Sequence, residues 1–302
     1  RDIEPEFTTE YEVGAEFGFF NNRINLEAAA YVQTTDNQTT NVAIPTSTGY
    51  TSRYINAGKM RGKGLEFDLR LTPLLQFGDF HWNVNANLTL LDTRVVALAG
   101  GAKEMDLDAD YAGYAIVGER YPMIKATDYV RNPEGKVIVD PVSGLPKNGD
   151  IMPMGTSDPT IRIGLNSVMK WKGFSLAATF DYRGGHYTRF GSEYQMAFSG
   201  ASYISAIAGR QRFVFPNSVI EEKDANGNVT YRDNTDITVN DGGKTFWTST
   251  YRSVRANQVI SAASWRLREL SLGYDVPKKF LKKVGFLQRA SVSLVGRNLF
   301  MW

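Results

Sequence analysis

The sequence predicts an all-β protein whose antiparallel strands cross a membrane as part of an up-and-down barrel. Three observations predict this fold class: apolar and polar residues alternate along many segments, short and long connections follow one another in turn, and aromatic residues flank the short connections. Strict alternation is typical of strands with two different faces. Short turns at one end of the strands and long loops at the other are typical of membrane barrels.

The segment YEVGAEFGFFNNRINLEAAAYV, Tyr11–Val32, shows the pattern. Apolar residues from Tyr11 to Phe19 alternate with Glu or Gly, and after Asn21-Asn22-Arg23 the alternation starts again at Ile24. Two alternating runs separated by an Asn-rich turn predict a β-hairpin.

The same alternation recurs later in the chain, so we expect eight strands in four hairpins. The further segments are Leu65–Thr72, Trp82–Leu90, Ile161–Asn166, Phe174–Arg183, Trp265–Tyr274 and Ala290–Phe300. In the segment from Trp265 the apolar positions change from odd to even numbers. One extra residue near Arg268-Glu269 restores the apolar face, which predicts a β-bulge there.

The connections within the hairpins are predicted to be short and those between the hairpins long. The short ones are Asn21–Arg23, Pro73–Phe80, Lys170–Gly173 and Pro277–Gly285, and the long ones are Asp36–Gly62, Asp92–Asp158 and Gly184–Ala262. The alternative, a soluble sandwich with one solvated face, accounts for the alternation but gives no reason for this sorting.

In a membrane barrel one face of each strand touches lipid and the other lines a wet lumen. The apolar residues Leu65, Phe67, Leu69, Leu176 and Phe180 are expected to face lipid. The charged residues between them are expected to face the lumen, namely Glu66, Asp68, Arg70, Asp181 and Arg183.

Composition excludes several classes of function. With 34 basic and 32 acidic residues, the sequence shows no basic segment suited to nucleic acid. The absence of Cys excludes disulfides, thiolate metal sites and Cys nucleophiles, and His81 and His186 are too far apart in the sequence to suggest a His pair. Because no catalytic motif is present either, the sequence does not indicate an enzyme.

One acidic motif, DLDAD, is a weak candidate for a structural Ca²⁺ site. Its alternating carboxylates are Asp106, Asp108 and Asp110. A solvated acidic loop is the favoured alternative, because neither the Gly nor the closing Glu of a calcium loop follows. We expect no other cofactor.

The longest connection, Gly184–Ala262, is rich in aromatic residues and is predicted to contact substrate or a partner protein. The candidate contact residues are Tyr187, Tyr194, Phe198, Arg212, Trp247 and Tyr251. Aromatic rings stack on sugars and anchor protein interfaces. The alternative is that any one of these rings packs within the loop. Residues Ser192–Ala208 are predicted to include a short helix.

Two turn-rich segments are predicted to form hairpins within the long connections. They are NPEGKVIVDPVSGLP, Asn132–Pro146, and DANGNV, Asp224–Val229. The second resembles the start of a calcium loop, but its flanking alternation favours a hairpin turn.

Several sequence blocks resemble a known family, the SusC/RagA-type TonB-dependent transporters. The more specific blocks are N-x-G-x-x-x-K-G-x-E, which here comprises Asn56, Gly58, Gly62-Lys63-Gly64 and Glu66, and the final R-N-L-F, Arg297–Phe300. The resemblance covers nearly every predicted strand and weakens in the long loops.

This resemblance implies a plugged 22-stranded barrel in the outer membrane of a Gram-negative bacterium. Placing R-N-L-F in the penultimate strand makes the eight strands numbers 14 to 21. Residues 1–302 would then be the C-terminal part of the barrel, without the plug, the TonB-contacting segment and the final strand. The implied function is import of oligosaccharides or peptides, powered through TonB and assisted by a SusD-type lipoprotein. A second hypothesis is a transporter-like barrel that serves as a scaffold in a larger outer-membrane complex.

Overall fold

The computed structural model describes residues 3–108, 113–239, 241–281, 285 and 288–302. The strands, in chain order, are β1 (Phe7–Phe19), β2 (Ile24–Ala43), β3 (Ser52–Phe77), β4 (Phe80–Leu98), β5 (Glu104–Asp108), β6 (Gly113–Ile116), β7 (Met123–Tyr129), β8 (Val137–Val139), β9 (Asn148–Thr156), β10 (Ile161–Trp171), β11 (Phe174–Gly184), β12 (Tyr187–Arg189), β13 (Phe213–Val214), β14 (Ser218–Lys223), β15 (Val229–Asp233), β16 (Thr238–Val239), β17 (Val259–Ser261), β18 (Ser264–Asp275) and β19 (Ser291–Met301). The α-helices are α1 (Ser192–Ser199), α2 (Tyr251–Ser253) and α3 (Lys278–Leu281). None of the helices in these ranges is long and apolar enough to cross a membrane.

The main sheet has eight antiparallel strands in the order β1-β2-β3-β4-β10-β11-β18-β19, which is also their order in the chain. These strands are the eight that the sequence predicts, and they form an up-and-down meander. The sheet is a segment of wall whose edge strands are β1 and β19.

Cross-strand partners show that the sheet has one polar and one apolar face. One row across the first five strands joins Val13, Ala30, Leu65, Leu90 and Ile161, and the next row joins Gly14, Ala29, Glu66, Thr89 and Arg162. Since partners in an antiparallel pair point to the same side, these rows lie on opposite faces. We call the side of Leu65 the apolar face and the side of Glu66 the polar face.

The two longest connections lie at one end of the sheet, as predicted, and three of the four connections at the other end have only two to four residues. Residues 20–23, 78–79, 172–173 and 276–290 join strands at the first end, and residues 44–51, 99–160 and 185–263 join them at the second. Aromatic rings cluster at the first end: Phe174 and Tyr274 lie 4.5 Å apart, and Phe77 and Phe80 lie 4.9 Å apart. Phe286, another aromatic residue of a short connection, lies outside the described residues.

The prediction of a long loop over Asp36–Gly62 is wrong. Strands β2 and β3 continue past this point as a hairpin and leave only residues 44–51 between them. Register shifts beside Thr35 and Gln38 interrupt the alternation without ending the pairing. The alternation of apolar and polar residues therefore ends near Asp36, although β2 and β3 stay paired beyond it. The Pro73–Phe80 connection is likewise shorter, because β3 extends to Phe77 after a register shift between Leu71 and Leu75.

The predicted β-bulge in β18 is confirmed. The register against β19 shifts between Leu267 and Glu269. As a result, the side chains of two consecutive residues reach the polar face: Arg268 bonds to Asp181 of β11, and Glu269 pairs with Arg297 of β19 at 3.0 Å.

The two longest connections pack together into one structure over the end of the sheet, which we call the loop cap (the described residues of 99–160 and 185–263). Strand β8 from the first connection pairs with β14 from the second, and β14 forms a hairpin with β15. The hairpin of β14 and β15 is the one predicted around Asp224–Val229. The other predicted hairpin, Asn132–Pro146, forms two turns, one on each side of β8. A shared core holds the cap together: Val137, Val139, Ala197, Phe215, Ile220, Val239, Phe246 and Tyr251.

Candidate functional site

The five charged residues predicted to face a lumen lie together on the polar face. In one row Asp68 pairs with Asn87, Asn87 with Gly164, and Gly164 with Asp181. Glu66 and Arg70 lie two residues to either side of Asp68, and Arg183 lies two residues from Asp181. The structure therefore gathers them on a single surface, and that this surface lines a lumen remains a prediction.

The part of the polar face formed by β1, β2 and β3 is acidic. Five carboxylates surround an open depression of about 500 Å³, namely Glu12, Glu16, Glu27, Glu66 and Asp68. Arg70 bridges two of them, with ion-pair distances of 2.9 Å to Glu27 and 2.8 Å to Asp68. The surface keeps an excess of negative charge, since one guanidinium faces five carboxylates.

The part formed by β10, β11, β18 and β19 is basic. Its cations include Arg162, Arg183, Arg266, Arg268 and Arg297. Asp181 accepts from Arg268 and lies 3.6 Å from Arg183. The polar face thus separates negative charge on its first strands from positive charge on its last strands. A surface of this kind produces a field across any solvent-filled space beside it.

Three buried polar atoms without a hydrogen-bond partner among the described residues lie where this basic region meets the loop cap. They are His186 Nδ1, Ser264 Oγ and Arg266 Nε. Burial lowers the pKa of His186, Asp158 opposes the shift, and the cations Arg183, Arg266 and Arg162 reinforce it. The neutral form of the His186 imidazole is therefore favoured more than in an exposed histidine.

The predicted contact residues of the longest connection divide into buried and exposed groups. Tyr251 is only 5% exposed and belongs to the core of the loop cap. Trp247 and Tyr194 pack against that core, and Arg252 lies 5.3 Å from the centre of the Tyr194 ring. Tyr251 is therefore a structural residue of the cap, and we remove it from the predicted contact surface.

Tyr187, Phe198 and Arg212 are exposed. Phe198 lies on α1, which occupies part of the helix predicted within Ser192–Ala208, and a 3-10 turn follows at Tyr203–Ala206. Tyr203, Ile204 and Ile207, which follow in the chain, are also exposed, and we call these three residues and Phe198 the α1 patch. Tyr203 is 84% exposed, so the cap core does not account for it.

The predicted calcium candidates fall at the edge of the described chain. Asp110 lies outside the described residues, Asp108 ends β5, and Asp106 pairs with Tyr114 of β6. Within the described ranges, no group of three or more metal-ligating side chains is found. The Ca²⁺ site stays a prediction.

Comparison with known proteins agrees with this geometry. The family model described as "TonB dependent receptor-like, beta-barrel" matches residues 1–299. TonB-dependent receptor P39 of Formosa agariphila is 25% identical over 344 residues, which include 100% of this chain and 32% of that protein. TonB-dependent receptor SusC of Bacteroides thetaiotaomicron is 31% identical over 120 residues, 39% of this chain and 11% of its own length.

A solved structure of the RagAB peptide transporter shares the fold. It superposes with a TM-score of 0.70 at 19% identity, over 98% of this chain and 31% of the matched chain. The chain thus spans about a third of the length of P39 and of the RagAB chain. An eight-stranded open meander is the expected form of such a portion of a larger barrel. The chain belongs to the family of TonB-dependent outer-membrane receptors and forms part of its β-barrel.

Proposed function

We propose that this chain forms the later part of the barrel wall, and the cap above it, of a TonB-dependent importer of bulky nutrients. Family membership supports import in general, and this family comprises receptors and transporters. The observation that carries the proposal is the separation of charge on the polar face. An importer needs a hydrated wall along which a polar cargo moves, whereas a purely structural wall has no need of this field.

The separated charges suit a cargo with charges of both signs. Carboxylates on the first three strands would attract the amino groups of a peptide, and the arginines of the last four strands would attract its carboxylates. Neutral oligosaccharides gain less from such a field. The fold shared with the RagAB peptide transporter is consistent with a peptide cargo, and oligosaccharides are the alternative.

The α1 patch is the proposed contact with a SusD-type surface lipoprotein. Its side chains are large and apolar, and they lie outside the shared core that stabilises the cap. Exposed apolar and aromatic anchors are typical of the centre of a protein interface.

The import proposal is tested in cells that carry a deletion of the full-length gene. Uptake of a peptide mixture and of oligosaccharides is measured with and without the restored gene. We expect deletion to abolish uptake of one class. If uptake of both classes stays unchanged, the import proposal is wrong.

The partner proposal is tested by substitution within the α1 patch. Tyr203→Asp together with Ile207→Asp should weaken co-purification of the lipoprotein at least tenfold, about 1.4 kcal/mol in binding free energy. Val142→Asp is a matched control, because Val142 is an equally exposed apolar residue of the cap at 83% exposure. Unchanged co-purification in the double variant would show that the lipoprotein binds elsewhere.

The scaffold hypothesis uses the same patch with a different partner. Mild-detergent purification followed by mass spectrometry separates the two proposals. A single lipoprotein favours import, whereas a stable set of assembly proteins and unaltered uptake favour the scaffold.

A further inference from the structure

Four cations, Arg61, Lys63, Arg94 and Arg120, lie on the apolar face at the edge of its apolar band, at the end near the loop cap. Lys63 lies two residues from Leu65, and Arg61 two residues further, so both project to the same side as Leu65. Arg61 pairs in register with Arg94, and Arg94 with Arg120, which places all four side chains on one face. The sequence itself indicates this placement, because Lys63 and Leu65 are separated by one residue in the G-K-G-L-E block, Gly62–Glu66.

Only part of this positive charge is neutralised. Asp92 accepts from Arg94 at 2.8 Å and from Arg120 at 2.7 Å. Among the residues that the structure describes, Arg61 and Lys63 have no ion-pair partner. Glu119 lies near Arg94, so four cations and two carboxylates give a net charge of +2.

The cationic cluster borders an apolar trough on the same face. An open depression of about 790 Å³ lies among Tyr11, Val13, Ala30, Val32, Leu65 and Leu90, and it ends at Lys63, Asp92 and Arg120. Ala30 lies between Val13 and Leu65 in its row. Its small side chain leaves the trough open between larger neighbours.

The position of the cluster selects the kind of occupant. A barrel exposes its apolar face to lipid, since polar groups are costly there. A Lys or Arg at the bilayer midplane costs about 2–4 kcal/mol, but the cost falls to about 0–1 kcal/mol near the interface. Lys63 lies in one row with Tyr11 and Val32, and Arg61 lies in the next row of this face towards the cap. The cations are therefore at the edge of the apolar band, which places them at headgroup depth. An anion that meets them there comes from the membrane and brings an apolar tail.

Arginine favours a phosphate among the anionic groups. Its planar guanidinium presents paired N–H donors that match two phosphate oxygens, and lysine adds a point charge. Basic pockets beside an apolar membrane surface bind phosphorylated lipid headgroups for the same reason. We propose that Arg61, Lys63 and Arg120 bind the phosphate-bearing headgroup of a lipid in the leaflet on the cap side, with one acyl chain in the trough beside Ala30.

The test uses the full-length protein, extracted from membranes in a zwitterionic detergent, and native mass spectrometry. The probe is a bisphosphorylated lipid A, compared with its dephosphorylated form and with inorganic phosphate. We expect the phosphorylated lipid to bind at least tenfold more tightly than the dephosphorylated form. Inorganic phosphate at the same concentration should not displace it. Equal binding of the two lipids, or displacement by inorganic phosphate, would overturn the proposal.

Two variants separate the headgroup site from the trough. Arg61→Gln with Lys63→Gln should weaken binding of the phosphorylated lipid at least tenfold. Lys170→Gln with Lys172→Gln, which removes two charges at the short-turn end, should leave it unchanged. Ala30→Leu, which fills the trough while all four cations remain, should also weaken binding. If the Arg61/Lys63 variant binds the phosphorylated lipid as the unsubstituted protein does, the assigned site is wrong.

Discussion

Asn56 of β3 holds the backbone of Asn37 across the hairpin of β2 and β3. Its side-chain amide donates to the Asn37 carbonyl at 2.8 Å and to the Glu4 carbonyl at 2.8 Å, and its Oδ1 accepts from the Glu4 N–H at 2.9 Å. Asn37 has a φ of 58°, in the left-handed region that Asn tolerates better than bulkier residues. One side chain thus joins three segments where the register of the hairpin shifts.

Asn56→Ala should loosen the upper part of this hairpin. It removes the partners of three backbone groups, and each lost bond costs about 0.5–1.5 kcal/mol. Amide hydrogen exchange over residues 36–58 should become faster. Asn25→Ala, which removes a bond to the Asn22 carbonyl at the opposite end of the sheet, is the control. Unchanged exchange in the Asn56 variant would mean that strand pairing alone fixes the register shift.

Gly64 leaves room for the ring of Tyr31 on the polar face. A Cβ at Gly64 would overlap that ring, whereas a Cβ at Gly62 would meet Thr93 Oγ1 at an ordinary 3.5 Å. Gly64→Ala should therefore destabilise the barrel by about 1–3 kcal/mol through overpacking, measured as a lower midpoint of urea unfolding. Gly62→Ala should have little effect. Adding Tyr31→Ala to the Gly64 variant should restore the midpoint, and failure to do so would assign the loss to the backbone.

The orientation of the two faces is testable with single cysteines, because the chain contains no native Cys. Asp68→Cys should react with a membrane-impermeant thiol reagent, since we expect Asp68 to face the lumen. Phe67→Cys should resist it and respond to a lipid-phase quencher. The reverse outcome would overturn the assignment of the polar face to the lumen.

The sequence predicts the face and backbone conformation of a residue when its neighbours in the chain determine them, and does not when distant residues do. Leu65 and Glu66 alternate with adjacent residues, so their opposite faces are predictable from the sequence. Asn37 is not, because its left-handed backbone is stabilised by Asn56, and the polar run around it has no periodic signal. The bulge at Arg268 is predictable, since apolar residues occupy every second position before it and every second position after it, but with the numbering shifted by one.

The loop cap is less predictable for a related reason. Tyr251 and Tyr203 are similar aromatic residues in one connection, but one is buried and the other exposed. Their difference arises from packing between the two long connections, such as the pairing of Val137 with Ser218. No local pattern encodes such a contact. The face of Arg61 and Lys63 is not evident from apolar alternation, because the alternating apolar residues begin only at Leu65.

The loop cap should weaken at high pH through ionisation of Tyr129. Burial raises the pKa of this phenol to about 12, although Asn257 donates to its oxygen at 2.8 Å and thereby favours the ionised form. Because the folded pKa exceeds the ordinary value of 10.0, the contribution of Tyr129 to stability is complete below pH 10 and is lost as the pH rises through about 12. Ultraviolet absorbance of tyrosinate should therefore contain a late component above pH 11, since burial delays the ionisation of the Tyr129 phenol. Tyr129→Phe should remove this component, whereas Tyr203→Phe, which removes an exposed phenol, should leave it in place. Persistence of the late component in the Tyr129 variant would assign it to another buried tyrosine.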